Sequence, residues 1–135
     1  MHTERRAVNP QPIVTYEENQ LIQAEANFVL TGAAAAQPFL DAVRAKFGKP
    51  SKPATLQSIM EEKYILLYQN PETWNDFKRT CYPRLKPANP SFTAVPGRLL
   101  YGTTEKQTNS DPALKAEGSL NTYRNANDPN ACPTS

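Results

Sequence analysis

The chain has 135 residues with 15 Lys and Arg against 13 Asp and Glu, a length that supports one domain of modest core. The net charge of +2 is scattered along the chain, which excludes the concentrated basic face that nucleic acid requires. No apolar run approaches the roughly 20 residues needed to cross a bilayer, and the opening ten residues hold neither an apolar stretch nor a cysteine to lipidate, so as written they are no secretory leader and would leave the chain in the cytoplasm.

Residues 1–14 contain Pro10 and Pro12 and no periodicity, and read as an extended lead-in. Thr15-Tyr-Glu-Glu18 is a capping-box pattern, predicting a helix to about Leu30 whose apolar face uses Leu21, Ile22, Ala24, Ala26, Phe28 and Val29. Thr31-Gly32 closes it with a residue suited to positive φ. A second helix is expected between Ala33 and Phe47, beginning either there or at Pro38, with Phe39, Leu40, Val43 and Phe47 buried. Small residues on both helices favour close approach in an αα-hairpin.

The connection 48–54 is rich in breakers, and Thr55 is placed to cap a third helix with Leu56, Ile59, Met60, Tyr64 and Leu67 on one face. Asn70 offers a cap, Pro71 a first helical position and Glu72 a negative charge near the positive end of a fourth helix. That helix carries Trp74 and Phe77 on one side and an Asp76–Arg79 pair on another, and it stops before Pro83. The expected architecture is all-α: two helical hairpins followed by a long proline-rich irregular segment. In that segment Phe92, Val95, Leu99, Leu100 and Tyr101 are expected to anchor a loop, with a short extended piece at 98–101. The domain division read from the sequence is 1–14 lead-in, 15–110 helical region, and 111–135 polar, mobile tail.

Chemistry-bearing patterns are sparse. Cys81 and Cys132 are too few for a disulfide framework, and with a single histidine at position 2 no tetrahedral metal set can form; no metal and no cofactor are expected. Cys81 is most simply a small packing residue, and a bridge to Cys132 in an oxidising compartment stays open. Glu61, Glu62, Glu72 and Asp76 show no spacing that fixes a catalytic pair; the structural reading sets Glu61 or Glu62 against Arg79 across the helix pair and uses Asp76 to fasten the following loop. Nucleophile elbows and phosphate loops are absent, so no catalytic residue is assigned and no enzymatic activity is expected. Trp74, Tyr82 and Tyr101 are candidate ligand-binding residues, an aromatic platform for a sugar ring; the competing assignment is to the core, where most buried aromatics belong.

The run Gln69-Asn-Pro-Glu-Thr-Trp-Asn-Asp-Phe-Lys-Arg-Thr80 is followed by Tyr82-Pro-Arg-Leu-Lys-Pro87 and Val95-Pro-Gly-Arg-Leu-Leu-Tyr101, with Glu105 and Asn109 beyond. In this order they resemble the C-terminal part of the SusD/RagB family of nutrient-binding outer-membrane lipoproteins. Leu21-Ile-Gln-Ala-Glu-Ala26, Gly32 and Ala42-Val-Arg44 resemble that family's tetratricopeptide-like helix pair. The resemblance covers roughly residues 15 to 115. It implies a cell-surface protein that captures a glycan or peptide and works with a SusC-like TonB-dependent transporter. The motif of Asn70, Pro71, Trp74, Asp76 and Arg79 is then a scaffold element. Since members of the family are several times longer, the chain is expected to be a C-terminal piece, with signal and lipid anchor on a preceding segment. The alternative from the hairpins alone is a helical protein-interaction module with no ligand site.

Overall fold

A computed structural model describes residues 13–88, 95, 101–111 and 132. Five helices and no strands occur among them: α1 (Tyr16–Leu30), α2 (Ala33–Lys46), α3 (Leu56–Leu66), α4 (Glu72–Thr80) and α5 (Thr103–Thr108). The all-α expectation holds. The chain divides into two units, Met1–Tyr68 with α1 to α3 and Gln69–Ser135 with α4 and α5. The lead-in through residue 12, the anchors Phe92, Leu99 and Leu100, the extended piece at 98–100 and the tail after Asp111 lie outside the described residues, Cys132 excepted.

Local signals place the helix ends of the first unit. The Thr15 hydroxyl accepts the amide of Glu18 at 3.1 Å, which starts α1 at Tyr16 as the sequence predicts. The full reciprocal box forms instead at α3, where Thr55 accepts from the Ser58 amide at 3.0 Å and the Ser58 hydroxyl accepts from the Thr55 amide at 2.9 Å. Serine replaces the longer carboxylate there because its oxygen reaches the amide directly. Between α1 and α2, Gly32 takes φ 110°, a conformation that a Cβ disfavours. After α2, Gly48 at φ 65° closes a two-bond C-cap, with Gly48 N–H donating to Ala45 O and Lys49 N–H to Arg44 O.

Helix α2 begins at Ala33, a full turn before Pro38, so Pro38 lies inside it. Pro38 and Ala34 both sit on the exposed side, where water reaches the carbonyl that a proline leaves without a donor.

Leu21 and Ala24 from α1, Ala36, Leu40 and Val43 from α2, and Ile59 and Met60 from α3 make the core, with Ala54 and Leu67 at its edges. Helix α1 packs against both α2 and α3, and the fully buried alanines 24 and 36 are the small residues that permit close approach. The first hairpin is therefore as expected, with α3 added to it as a third helix.

Which apolar residues are buried differs from the sequence reading. Ile22, Ala26 and Val29 face solvent, Val29 with 70% of its surface exposed. One helical stripe, Leu21, Ala24 and the half-buried Phe28, meets both neighbours of α1, and residues about 100° further round have nothing to pack against. Phe47 is 53% exposed and Tyr64 is exposed for the same reason, while Phe39 is half-buried.

The breaker-rich connection 48–54 is not a free loop. Side chains of α2 bind it along its length: Arg44 Nε donates to Pro50 O at 2.7 Å, and Gln37 donates to Lys52 O at 2.9 Å while accepting from the Ala54 amide at 2.8 Å. Asp41 accepts from the Ser51 hydroxyl at 2.8 Å. This course sets the partners of the α3 carboxylates. Glu62, buried, is paired with Arg44 and, at 3.1 Å, with Lys49, and Glu61 is paired with Lys52 at 2.6 Å. The expected partner, Arg79, bonds Asp76 within its own helix at 2.6 Å. In the same last turn of α2, Lys46 pairs with the buried Glu17 and joins α2 to α1.

Leu21→Ala is expected to lower the stability of the first unit by about 3 kcal/mol, as fully buried leucines do, whereas Ile22→Ala should change it by less than about 0.5 kcal/mol. Denaturant unfolding followed by far-UV circular dichroism separates the two. The hydrogen bond from Lys52, then that from Gln57, holds the Glu61 carboxyl below the usual glutamate range, against desolvation, which raises it. A carboxyl with its folded value depressed contributes stability that is fully present above its unfolded value, about 4.3, and is lost as pH falls through the folded value. Glu61→Gln should therefore reduce the stability difference between neutral and acidic solution, measured as denaturant midpoints across that window.

Candidate functional site

The residues that carry the sequence motif belong to α4 and its flanks. Asn70 Oδ1 accepts the Glu72 amide at 2.9 Å, and the Asn70 carbonyl accepts both the Thr73 amide at 3.1 Å and its hydroxyl at 2.7 Å. Pro71, at φ −60°, stands just before the first helical residue, so α4 begins at Glu72, one residue later than expected. Asp76 is buried, and its Oδ1 accepts from Arg79.

The C-terminal end of α4 is equally determined. The Thr80 hydroxyl donates to Asp76 O at 2.7 Å and accepts the Tyr82 amide at 3.2 Å, which holds the first residues of the following loop. Cys81 occupies the left-handed region at φ 60° and is disulfide-bonded to Cys132, 51 positions on, with a Cα–Cα distance of 5.0 Å. The bridge that the sequence left open is formed, and Cys81 is not simply a packing residue.

The three candidate aromatics meet different partners. Trp74 is half-buried with its ring centroid 6.3 Å from that of Phe77 and tilted 38°. Tyr82 lies under the Arg84 guanidinium, 5.2 Å from the ring centre, a geometry suited to cation–π attraction. Tyr101 is 43% exposed, just ahead of α5, whose end is capped by the Asn109 amide donating to Glu105 O at 2.9 Å. Several motif residues thus bond one another around a short helix, and the Trp74 ring packs on Phe77 of the same helix.

A separate concavity of about 420 Å³ lies in the first unit between α2 and α3, lined by Val43, Phe47, Lys49, Glu62, Ile65 and Leu66. Its walls are mainly apolar, and Ile65 is 60% exposed beside it. Both Glu62 oxygens are occupied by cations, so this carboxylate is set up for holding helices together rather than for moving protons. Sequence reasoning missed this groove. The signal was present in Phe47 and Ile65, apolar residues near two helix ends, but their facing each other depends on how the connection returns.

A family model described as starch-binding associating with outer membrane matches residues 19–102, more than half of the chain. No curated protein and no solved structure matches it. The matched span takes in most of α1, all of α2 to α4 and the whole run from Gln69 to Tyr101 that carries the motif. The chain belongs to the SusD-like family.

Proposed function

We propose that the chain serves nutrient capture at the bacterial cell surface, binding a glycan or peptide in concert with a SusC-like TonB-dependent transporter of the outer membrane. The family match over residues 19–102 carries this reading. No helix among the described residues is long and apolar enough to cross a membrane, and in this reading a lipid anchor and the transporter hold the protein at the outer membrane. In this reading the protein binds and does not catalyse, which the family match supports, and the α3 carboxylates Glu61 and Glu62 are paired with Arg44, Lys49 and Lys52.

Within this function the α4 motif is a scaffold. Asn70, Pro71, Asp76 and Arg79 fix the helix ends and Trp74 packs on Phe77, which supports a structural role ahead of the sugar platform of Trp74, Tyr82 and Tyr101. A second reading, a helical interaction module without a ligand, draws on the apolar groove and on the exposed Val29, Leu30, Phe47 and Ile65, a combination common at protein-binding surfaces.

A tagged chain recovered from detergent-solubilised cell envelope is expected to bring a TonB-dependent transporter with it, and the complex to retain a glycan or peptide identifiable by mass spectrometry. Recovery of other proteins without transporter or nutrient would favour the interaction module. Trp74→Ala should destabilise the second unit by about 2 kcal/mol, less than the 3–5 of a fully buried aromatic, and leave the retained nutrient unchanged. A tenfold loss of nutrient from a folded variant would instead move the ligand onto the aromatic platform.

A further inference from the structure

The described part of the second unit has little burial to stabilise it. Among its described residues only Phe77 and Asp76 are buried, α4 has nine residues, and α5 has six with none buried. Helices this short are marginal on their own in water. Against this stands one covalent link, from the left-handed end of α4 at Cys81 to Cys132. We propose that the Cys81–Cys132 bond is the staple that completes the second unit, so that the chain reaches its working form only in an oxidising compartment.

The physical basis is loop closure. Joining two positions 51 residues apart removes much of the freedom of the open chain, an effect that grows with loop length. In forming the bond, two thiols release two protons and two electrons. The electrons reduce the disulfide of a thiol–disulfide oxidant to two thiols, so one S–S bond forms as another breaks. A reducing cytosol would keep both cysteines as thiols, whereas the cell envelope supplies such an oxidant. The inference is independent of any nutrient or transporter.

The sequence provides a reporter for the test. Trp74 is the only tryptophan and lies in α4, so its fluorescence reports from within the second unit, while far-UV circular dichroism is dominated by the three longer helices of the first. The full chain purified from cell envelope is alkylated before and after reduction and mapped by mass spectrometry. Both cysteines should label only after reduction. Dithiothreitol should then lower the urea midpoint of the Trp74 signal by on the order of 1 M, with the dichroism transition retained. The double variant Cys81→Ser, Cys132→Ser should match the reduced protein and ignore the reductant. Free thiols in envelope-derived protein would overturn the proposal, as would a Trp74 transition unmoved by reduction. Loss of both signals together would also overturn it, since the bond would then hold the whole chain rather than its second unit.

Discussion

Glu62 is the constraint on which the first unit depends. It is a buried carboxylate on α3 whose two oxygens meet Arg44 on α2 and Lys49 in the following turn. Removing a carboxylate from water costs several kcal/mol unless cations and hydrogen bonds replace the lost hydration, so α3 is tolerated only where those two cations converge. Arg44 also donates to Pro50 O, which ties the ion pair to the course of the connection. The breaker-rich connection is thereby a fitted strut along α2.

That arrangement leaves apolar surface uncovered. Helix α1 buries one stripe against two neighbours, and Ile22 and Val29 remain outside it. Phe47 and Ile65 flank a groove whose charged wall is already neutralised. For a family associated with the outer membrane, uncovered helix faces are the natural material of docking to another protein, while the helix pair itself supplies rigidity.

The second unit rests on different physics. Among its described residues the helices are short, the apolar core is a single phenylalanine, and hydrogen bonds hold both ends of α4 beside a disulfide. Small structures with little core commonly rely on covalent links in oxidising surroundings. Among the described residues, burial dominates the first unit, and the second carries a cross-link beside a small core.

The sequence by itself determined α1 to α4 and most of their ends, while α5 falls in a stretch read from the sequence as loop. Thr15, Gly32, Gly48, Thr55 and Asn70 each act on amides or dihedrals within a few residues, so their effects were legible without any tertiary context. The same local order of residues from Gln69 to Tyr101 made the family recognisable. Tertiary structure alone decided which apolar residues are core, because a helix face is buried only if a neighbour reaches it, and Ile22 and Leu21 differ by one position and not in hydrophobicity. It decided the partners of Glu61 and Glu62, since Arg44 lies 18 positions from Glu62 and the intervening connection had first to fold back along α2. It decided, finally, that Cys81 and Cys132 meet across 51 positions, a proximity that no local pattern encodes because it arises from the path of the whole intervening chain.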